Sequence, residues 1–163
     1  MAGIAEVVKQ GLAVHGHQTP FRYSETEGMS RTIIVVAGVL RRDGKVLIGQ
    51  RRAGDRHALK WEFPGGKVER GEDPREALVR ELREELCIEA HIGRELARYE
   101  HVNQKRGPLL LIFHEVDEFE GEPHGTAFEQ IQWEDAERLP SYDFLDGDLD
   151  FVRRLARGLM RWA

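Results

Sequence analysis

The apolar positions of this chain follow two rhythms. Residues 32–40 (TIIVVAGVL) are β-branched and apolar, the pattern of a buried strand. Asp43-Gly44 is a strong two-residue hairpin turn, and residues 45–50 (KVLIGQ) read as the return strand. Residues 51–60 (RRAGDRHALK) are a polar loop, followed by a short apolar contact at Trp61-Glu62-Phe63 and a sharp turn at Pro64-Gly65-Gly66. The period then becomes helical: Leu78, Val79, Leu82 and Leu86 form one stripe of a helix running from Pro74 to about Cys87. Asp73 is placed to cap it, Pro74 suits the first helical position, and Glu76 three residues after the cap completes a capping box. Residues 88–100 hold one or two alternating strands, 108–116 (PLLLIFHEV) another, and 129–133 (EQIQW) a short one. Residues 134–139 suit one helical turn, and 148–160 an amphipathic closing helix carried by Leu149, Val152, Leu155, Ala156, Leu159 and Met160. Strands and helices mix without regular βαβ alternation. The expected fold is therefore α+β, a mixed β-sheet flanked by helices.

Residues 1–31 differ from the rest. They carry weak helical spacing, then turn chemistry with little to bury, and read as an N-terminal appendage or linker ahead of a domain spanning 32–163. The 163 residues suit one compact domain. Lys plus Arg is 24 and Asp plus Glu is 29, a net charge of -5, which excludes a purely electrostatic, nonspecific DNA binder. Phosphate ligands stay open, because a bound divalent cation can supply positive charge locally. The lone Cys87 excludes a Cys-rich zinc site and an internal disulfide, and no apolar stretch approaches the roughly 20 residues that span a bilayer. A cytoplasmic, reducing setting is expected, with no membrane partner.

The helix carries the chemistry of interest. Glu81, Glu84 and Glu85 share an arc roughly 100° wide that borders the apolar stripe. Like charges at these spacings repel. Either solvent tames them, as on most charged helix faces, or a hard divalent cation does. Upstream, the glycines at 65 and 66 permit close backbone approach and leave a carbonyl for a cation, while Lys67, Arg51 and Arg52 suit phosphate oxygens.

From Gly66 to Ile88 the chain reads GKVERGEDPREALVRELREELCI. This resembles the Nudix box, with Gly66, Glu72, Arg80, Glu81, Leu82, Glu84, Glu85 and Ile88 in register and Cys87 standing where the box has glycine. The Arg51-Arg52 pair, the EFPGGK segment, Gly121-Glu122-Pro123 and Trp133 extend the likeness to the MutT-type branch over about residues 32–160. The resemblance implies an α/β/α sandwich of the Nudix fold. It also implies Mg²⁺- or Mn²⁺-dependent hydrolysis of nucleoside triphosphates, 8-oxo-dGTP included, to the monophosphate and pyrophosphate. By the same likeness Glu81, Glu84, Glu85 and the Gly65 carbonyl hold metal. Glu81 is alternatively the base, Arg80 orients it, Glu72 braces the loop, and Arg52, Arg51 and Lys67 hold phosphates. Glu129 is the candidate for a further acidic ligand, against a plain strand-surface role. Asp148 or Asp146 would read the base, with Asp148 also placed to cap the closing helix. A carboxylate there has to be protonated to meet a purine acceptor edge, which weakens strict 8-oxoguanine preference.

His57, between the arginines and the glycine turn, could line the pocket, whereas the remaining histidines lack zinc-like spacing. The rival readings are a CTP-type pyrophosphohydrolase, an RNA 5′ pyrophosphohydrolase, and a nucleotide-binding module without turnover. A nucleotide substrate, no stable nucleic-acid complex, and a monomer or homodimer are expected.

Overall fold

The computed structural model describes residues 32–103, 107–160 and 162. The expected appendage at 1–31 lies outside the described residues. Among the described residues the order is β1 (Ile33–Arg42), β2 (Lys45–Arg51), β3 (Trp61–Glu62), β4 (Gly65–Lys67), α1 (Pro74–Leu86), β5 (Glu89–Asn103), β6 (Gly107–Glu120), β7 (Phe128–Asp135) and α2 (Leu149–Ala156). Single 3₁₀ turns occupy Ala136–Ser141 and Asp146–Asp148.

The strands form a mixed sheet in the order β3-β2-β1-β6-β5, with β4 on β1 and β7 on β2. β1 and β6 run parallel, joined by a crossover that contains α1 and β5, and the remaining pairs are antiparallel. Strand side chains alternate between faces. Val36, Leu40, Leu47 and Ile112 enter one core with Leu78, Leu82 and Leu86 of α1. Val39, Ile48, Leu111 and Phe113 enter a second core with Phe151, Val152 and Leu155 of α2. Helices thus cover both faces, and the α/β/α sandwich expected from the resemblance is present.

α1 begins where the Asp73 carboxylate accepts the Arg75 N–H at 2.8 Å. It ends at Cys87, which sits in the left-handed region (φ 58, ψ 36) with its N–H on the Arg83 carbonyl. That conformation costs a non-glycine residue about 1–3 kcal/mol. The loop after β6 compensates by capping the helix end. His124 N–H donates to the Leu86 carbonyl at 2.9 Å and Thr126 N–H to the Glu85 carbonyl at 3.0 Å. The Thr126 hydroxyl adds a bond to the Glu84 carbonyl at 2.8 Å.

The structure corrects three local expectations and decides a fourth. Residues 65 and 66 are not simply a turn: with Lys67 they form β4, paired to β1 at Ala37 and Val36. Of the one or two strands expected over 88–100, the structure has one, β5, bent at irregularities near Ile92 and Glu95. The expected helical turn at 134–139 is a 3₁₀ turn at Ala136–Ser141, and Pro140 within it lacks the N–H an α-helix would use. The closing helix stops at Ala156, because Gly158 turns the chain at φ 66, leaving Leu159 63% exposed.

Candidate active site

The site is built where β4 passes beneath α1. A Cβ on Gly65 would overlap the Val36 carbonyl oxygen, and its φ of +149 suits glycine alone. A Cβ on Gly66 would lie 2.5 and 2.6 Å from the two carboxyl oxygens of Glu81. The missing side chains therefore let the backbone meet β1 on one side and the Glu81 carboxylate on the other. The Gly65 N–H donates to Glu85 Oε2 at 2.9 Å, so a second acid of the same helix turn is fixed on the same strand. Burial pushes the Glu85 carboxyl up to about 8, the charges of Glu62 and Glu81 add to that, and the Gly65 bond opposes it. Glu84 projects outward with a side chain 62% exposed.

Arg80 ties the loop before α1 to this cluster. Its Nε and Nη2 donate to Glu72 Oε1 and Oε2 at 2.9 and 3.0 Å, its Nη1 to Glu81 Oε1 at 2.8 Å, and its Nη2 to the Lys67 carbonyl at 3.1 Å. Glu72 also accepts the Glu69 N–H at 3.0 Å. The bond from Arg80 is the main reason the Glu72 carboxyl sits below the ordinary glutamate range, with the Glu69 N–H second. Glu72 thus joins Arg80 to the backbone of the loop before α1.

The facing wall holds a residue that the sequence reading passed over. Trp61 and Phe63 are buried at 7% and 3% exposure, and Glu62 between them alternates to the other side. Its carboxylate accepts Arg51 Nη1 at 3.0 and 3.1 Å, while Arg51 Nε donates to the Arg56 carbonyl at 2.8 Å. Arg51 is therefore engaged with Glu62 and the 52–59 loop. The Glu62 carboxyl is raised by burial, against Arg51. Its charge raises the carboxyls of both Glu85 and Asp148. The available signal was an acid at the centre of a short apolar strand.

Asp148 does not cap α2. It enters the helix through a 3₁₀ turn with helical angles (φ -88, ψ -16), and its side chain makes no cap bond, because a capping residue needs an extended backbone. Instead the carboxyl is 8% exposed. It accepts a backbone bond from Phe63 and is raised by burial to about 8, with the Glu62 charge acting the same way. Asp146, two residues earlier, is 76% exposed at its side chain and pairs with Lys60. The Tyr99 hydroxyl donates to the Gly147 carbonyl at 2.9 Å and holds the turn between these two acids.

The other sequence candidates lie further out. Arg52 is exposed and donates from Nη2 to the Thr126 carbonyl. Lys67 is exposed at the end of β4. His57 is exposed on its loop at φ 59, its pKa lowered first by desolvation and then by Arg56. Glu129 is exposed on β7, opposite the irregularity between Gln50 and Arg51. The structure thus bonds Arg80 to Glu72 and Glu81 with Glu84 3.7 Å away, fixes Glu85 on Gly65 of the neighbouring strand, and leaves Glu62 half-buried and Asp148 buried.

For a cation, the donors Glu81, Glu84, Glu85 and the Gly65 carbonyl are all oxygen, which suits a hard divalent ion. As they stand, no three His, Cys, Asp or Glu side chains among the described residues are grouped closely enough to hold one. Glu81 is turned to Arg80 and Glu85 to the Gly65 N–H. Rotation of these side chains, with the backbone unchanged, is what binding requires.

A mixed-sheet sandwich that sets a glycine strand against an acidic helix defines a class, and comparison with known proteins agrees with it. The NUDIX domain model matches residues 29–155, and the chain belongs to that family. It is a Nudix hydrolase of the MutT-like kind. It is 40% identical over 122 residues to an Escherichia coli (strain K12) protein named CTP pyrophosphohydrolase, covering 75% of this chain and 90% of that one. It is 35% identical over 124 residues to the 8-oxo-dGTP diphosphatase of the same organism, covering 76% and 95%. The solution structure of the E. coli ORF135 protein superimposes with a TM-score of 0.69 at 37% identity, covering 76% of this chain and 87% of that one. No helix among the described residues is long and apolar enough to cross a membrane.

Proposed function

We propose that this enzyme hydrolyses nucleoside triphosphates to the monophosphate and pyrophosphate, with Mg²⁺ or Mn²⁺ as its ion. The observation that supports it is the acid pair on the glycine strand: the Glu81 carboxylate lies against Gly66, and Glu85 accepts the Gly65 N–H at 2.9 Å. Oxygen donors beside a side-chain-free backbone suit a hard ion and the phosphate chain it would neutralise.

Glu81, Glu84, Glu85 and the Gly65 carbonyl would hold the ion, which when bound neutralises the phosphate chain and favours ionisation of the attacking water. Arg80 fixes the Glu81 carboxylate through their 2.8 Å bond, and Glu72 anchors the far side of Arg80. In its alternative role as base, with Glu84, Glu85 and the Gly65 carbonyl left to the ion, Glu81 accepts the water's proton; the water oxygen bonds to the α or β phosphorus, and the P–O bond between those two phosphates breaks with its electron pair going to the departing phosphate oxygen. Arg52 and Lys67, both exposed cations beside this strand and loop, meet phosphate oxygens.

A narrower reading follows from Asp148. A carboxyl group accepts from the exocyclic amine of cytosine. Asp148 is buried and its carboxyl is not spent on capping α2, which suits cytosine nucleotides within the triphosphate class. The 40% identical relative named for CTP supports the same choice.

A nucleotide panel scored for pyrophosphate against orthophosphate tests both levels. Pyrophosphate release with a cytosine preference is expected. Orthophosphate as product refutes the cleavage position, and tight binding without turnover makes the chain a sensor. Glu84→Gln should lower the rate on the order of 10²-fold by weakening the ion's clamp. Wild-type turnover in that variant removes the metal assignment.

A further inference from the structure

We propose that Lys60 is the positioning residue of the base-reading turn: its ammonium holds residues 143–146 against β3 so that Asp148 faces the nucleobase. The inference rests on the reading of Asp148 given above and adds to it the residue through which that carboxyl is placed.

The segment from Asp143 to Asp148 is attached to residues 60–63 at successive points. Trp61 N–H donates to the Asp143 carbonyl at 2.8 Å, and Leu145 N–H donates back to the Trp61 carbonyl at 2.9 Å. At the far end the Phe63 backbone bonds the Asp148 carboxyl. At the near end the Lys60 ammonium, with a side chain 26% exposed, collects three oxygens from the turn. They are Asp143 Oδ1 at 3.0 Å, the Phe144 carbonyl at 3.3 Å and Asp146 Oδ1 at 3.4 Å. Three donors on one flexible stem match three acceptors from consecutive stretches of one turn. The backbone of Lys60 is itself anchored, its carbonyl accepting Arg51 N–H at 2.9 Å and its N–H reaching the His57 carbonyl at 3.2 Å.

Without the ammonium, Asp143 and Asp146 become two like charges on a short turn, with neither carboxylate in another hydrogen bond or ion pair among the described residues and only the His57 ring electrostatically near Asp146. Their repulsion opens the turn two residues ahead of Asp148. Among the described residues, no hydrogen bond or ion pair joins Lys60 to the acid helix or the glycine strand. The loss should therefore fall on base recognition and spare the chemical step, since small misplacement of a positioning group weakens what it positions.

The test uses the full chain and the base panel. Lys60→Met should raise KM for the preferred nucleotide about tenfold with kcat within about twofold, and shrink base discrimination by a similar factor. Asp143→Asn, at a carboxylate 77% exposed, should show the same signature more weakly and decides the matter if Lys60→Met does not fold. In the double variant Lys60→Met/Asp148→Ala, discrimination should be no worse than in Asp148→Ala alone, because one residue acts through the other. Unchanged discrimination in the Lys60 and Asp143 variants, a fall in kcat at constant KM, or multiplying losses in the double variant overturns the proposal. Full discrimination in Asp148→Ala instead overturns the reading of Asp148 itself, so the two failures are distinct.

Discussion

Two adjacent glycines should separate chemistry from folding. Gly66→Ala places a methyl 2.5 and 2.6 Å from the Glu81 carboxyl oxygens, about 1 Å inside normal contact. Those atoms are the tip of a flexible side chain, so Glu81 swings aside and β4 stays in place. The loss of its bond to Arg80 costs about 1–3 kcal/mol, reduced because both side chains are partly solvated, at 26% and 16% exposure. Restricting the unfolded chain returns about 0.4–1 kcal/mol. The net change is about 1 kcal/mol, and Tm falls only a few degrees. Turnover behaves differently: an acid displaced by an ångström from its working position lowers kcat/KM on the order of 10²-fold. Gly65→Ala has the opposite profile. Its methyl overlaps the Val36 carbonyl oxygen and lies 2.8 Å from Ala37 Cα, at a φ of +149. Relief requires breaking the Gly65–Ala37 pairing and the 2.9 Å bond to Glu85. The backbone conformation alone costs about 1–3 kcal/mol. With the overlap the total is about 3–5 kcal/mol, a large share of a typical domain's stability. Thermal melts paired with pyrophosphate release measure both. Undiminished turnover in Gly66→Ala removes Glu81 from the mechanism, and a wild-type melt for Gly65→Ala refutes the close backbone approach.

Two further outcomes follow from buried and bridging groups. His114 is 3% exposed, its Nδ1 lacks a partner among the described residues, and burial, then Arg75, holds its pKa below 6.5. The unfolded chain therefore binds the extra proton first, so stability is full above pH 6.5 and falls as pH drops below it. Tm measured from pH 7.5 to 5 should fall less for His114→Leu than for wild type, and parallel curves refute the assignment. Arg80→Lys keeps a charge but loses the fork that spans Glu72 and Glu81, so kcat should drop about tenfold with little change in Tm. Equal rates would show that the charge alone suffices.

The parts of this protein that were legible in its sequence are those set by neighbours along the chain. The strand–turn–strand around Asp43-Gly44, the cap at Asp73 and the acidic arc of α1 each depend on residues within a few positions, and each has the expected form. Residues 65–67 were harder, because a glycine pair permits a turn as readily as a strand. Only the approach of β1, far earlier in the chain, selects the strand. Asp148, the base reader of the proposed function, shows the same limit. Its type and place suit a cap equally well, and the decision lies in the 3₁₀ entry that turns its backbone helical one residue early. Glu62 and Lys60 left almost no local trace, since an acid in a strand and a lysine before it are ordinary surface chemistry. They acquire meaning from Arg51 across the hairpin and from the turn at 143–146, which the fold of α2 delivers to β3. On the function proposed above, the residues for the phosphate chain lie in one continuous motif, whereas the turn that carries Asp148 is tied to a segment some eighty residues earlier. The preferred base in that proposal turns on the surroundings of one buried carboxyl, which neighbours along the chain do not set.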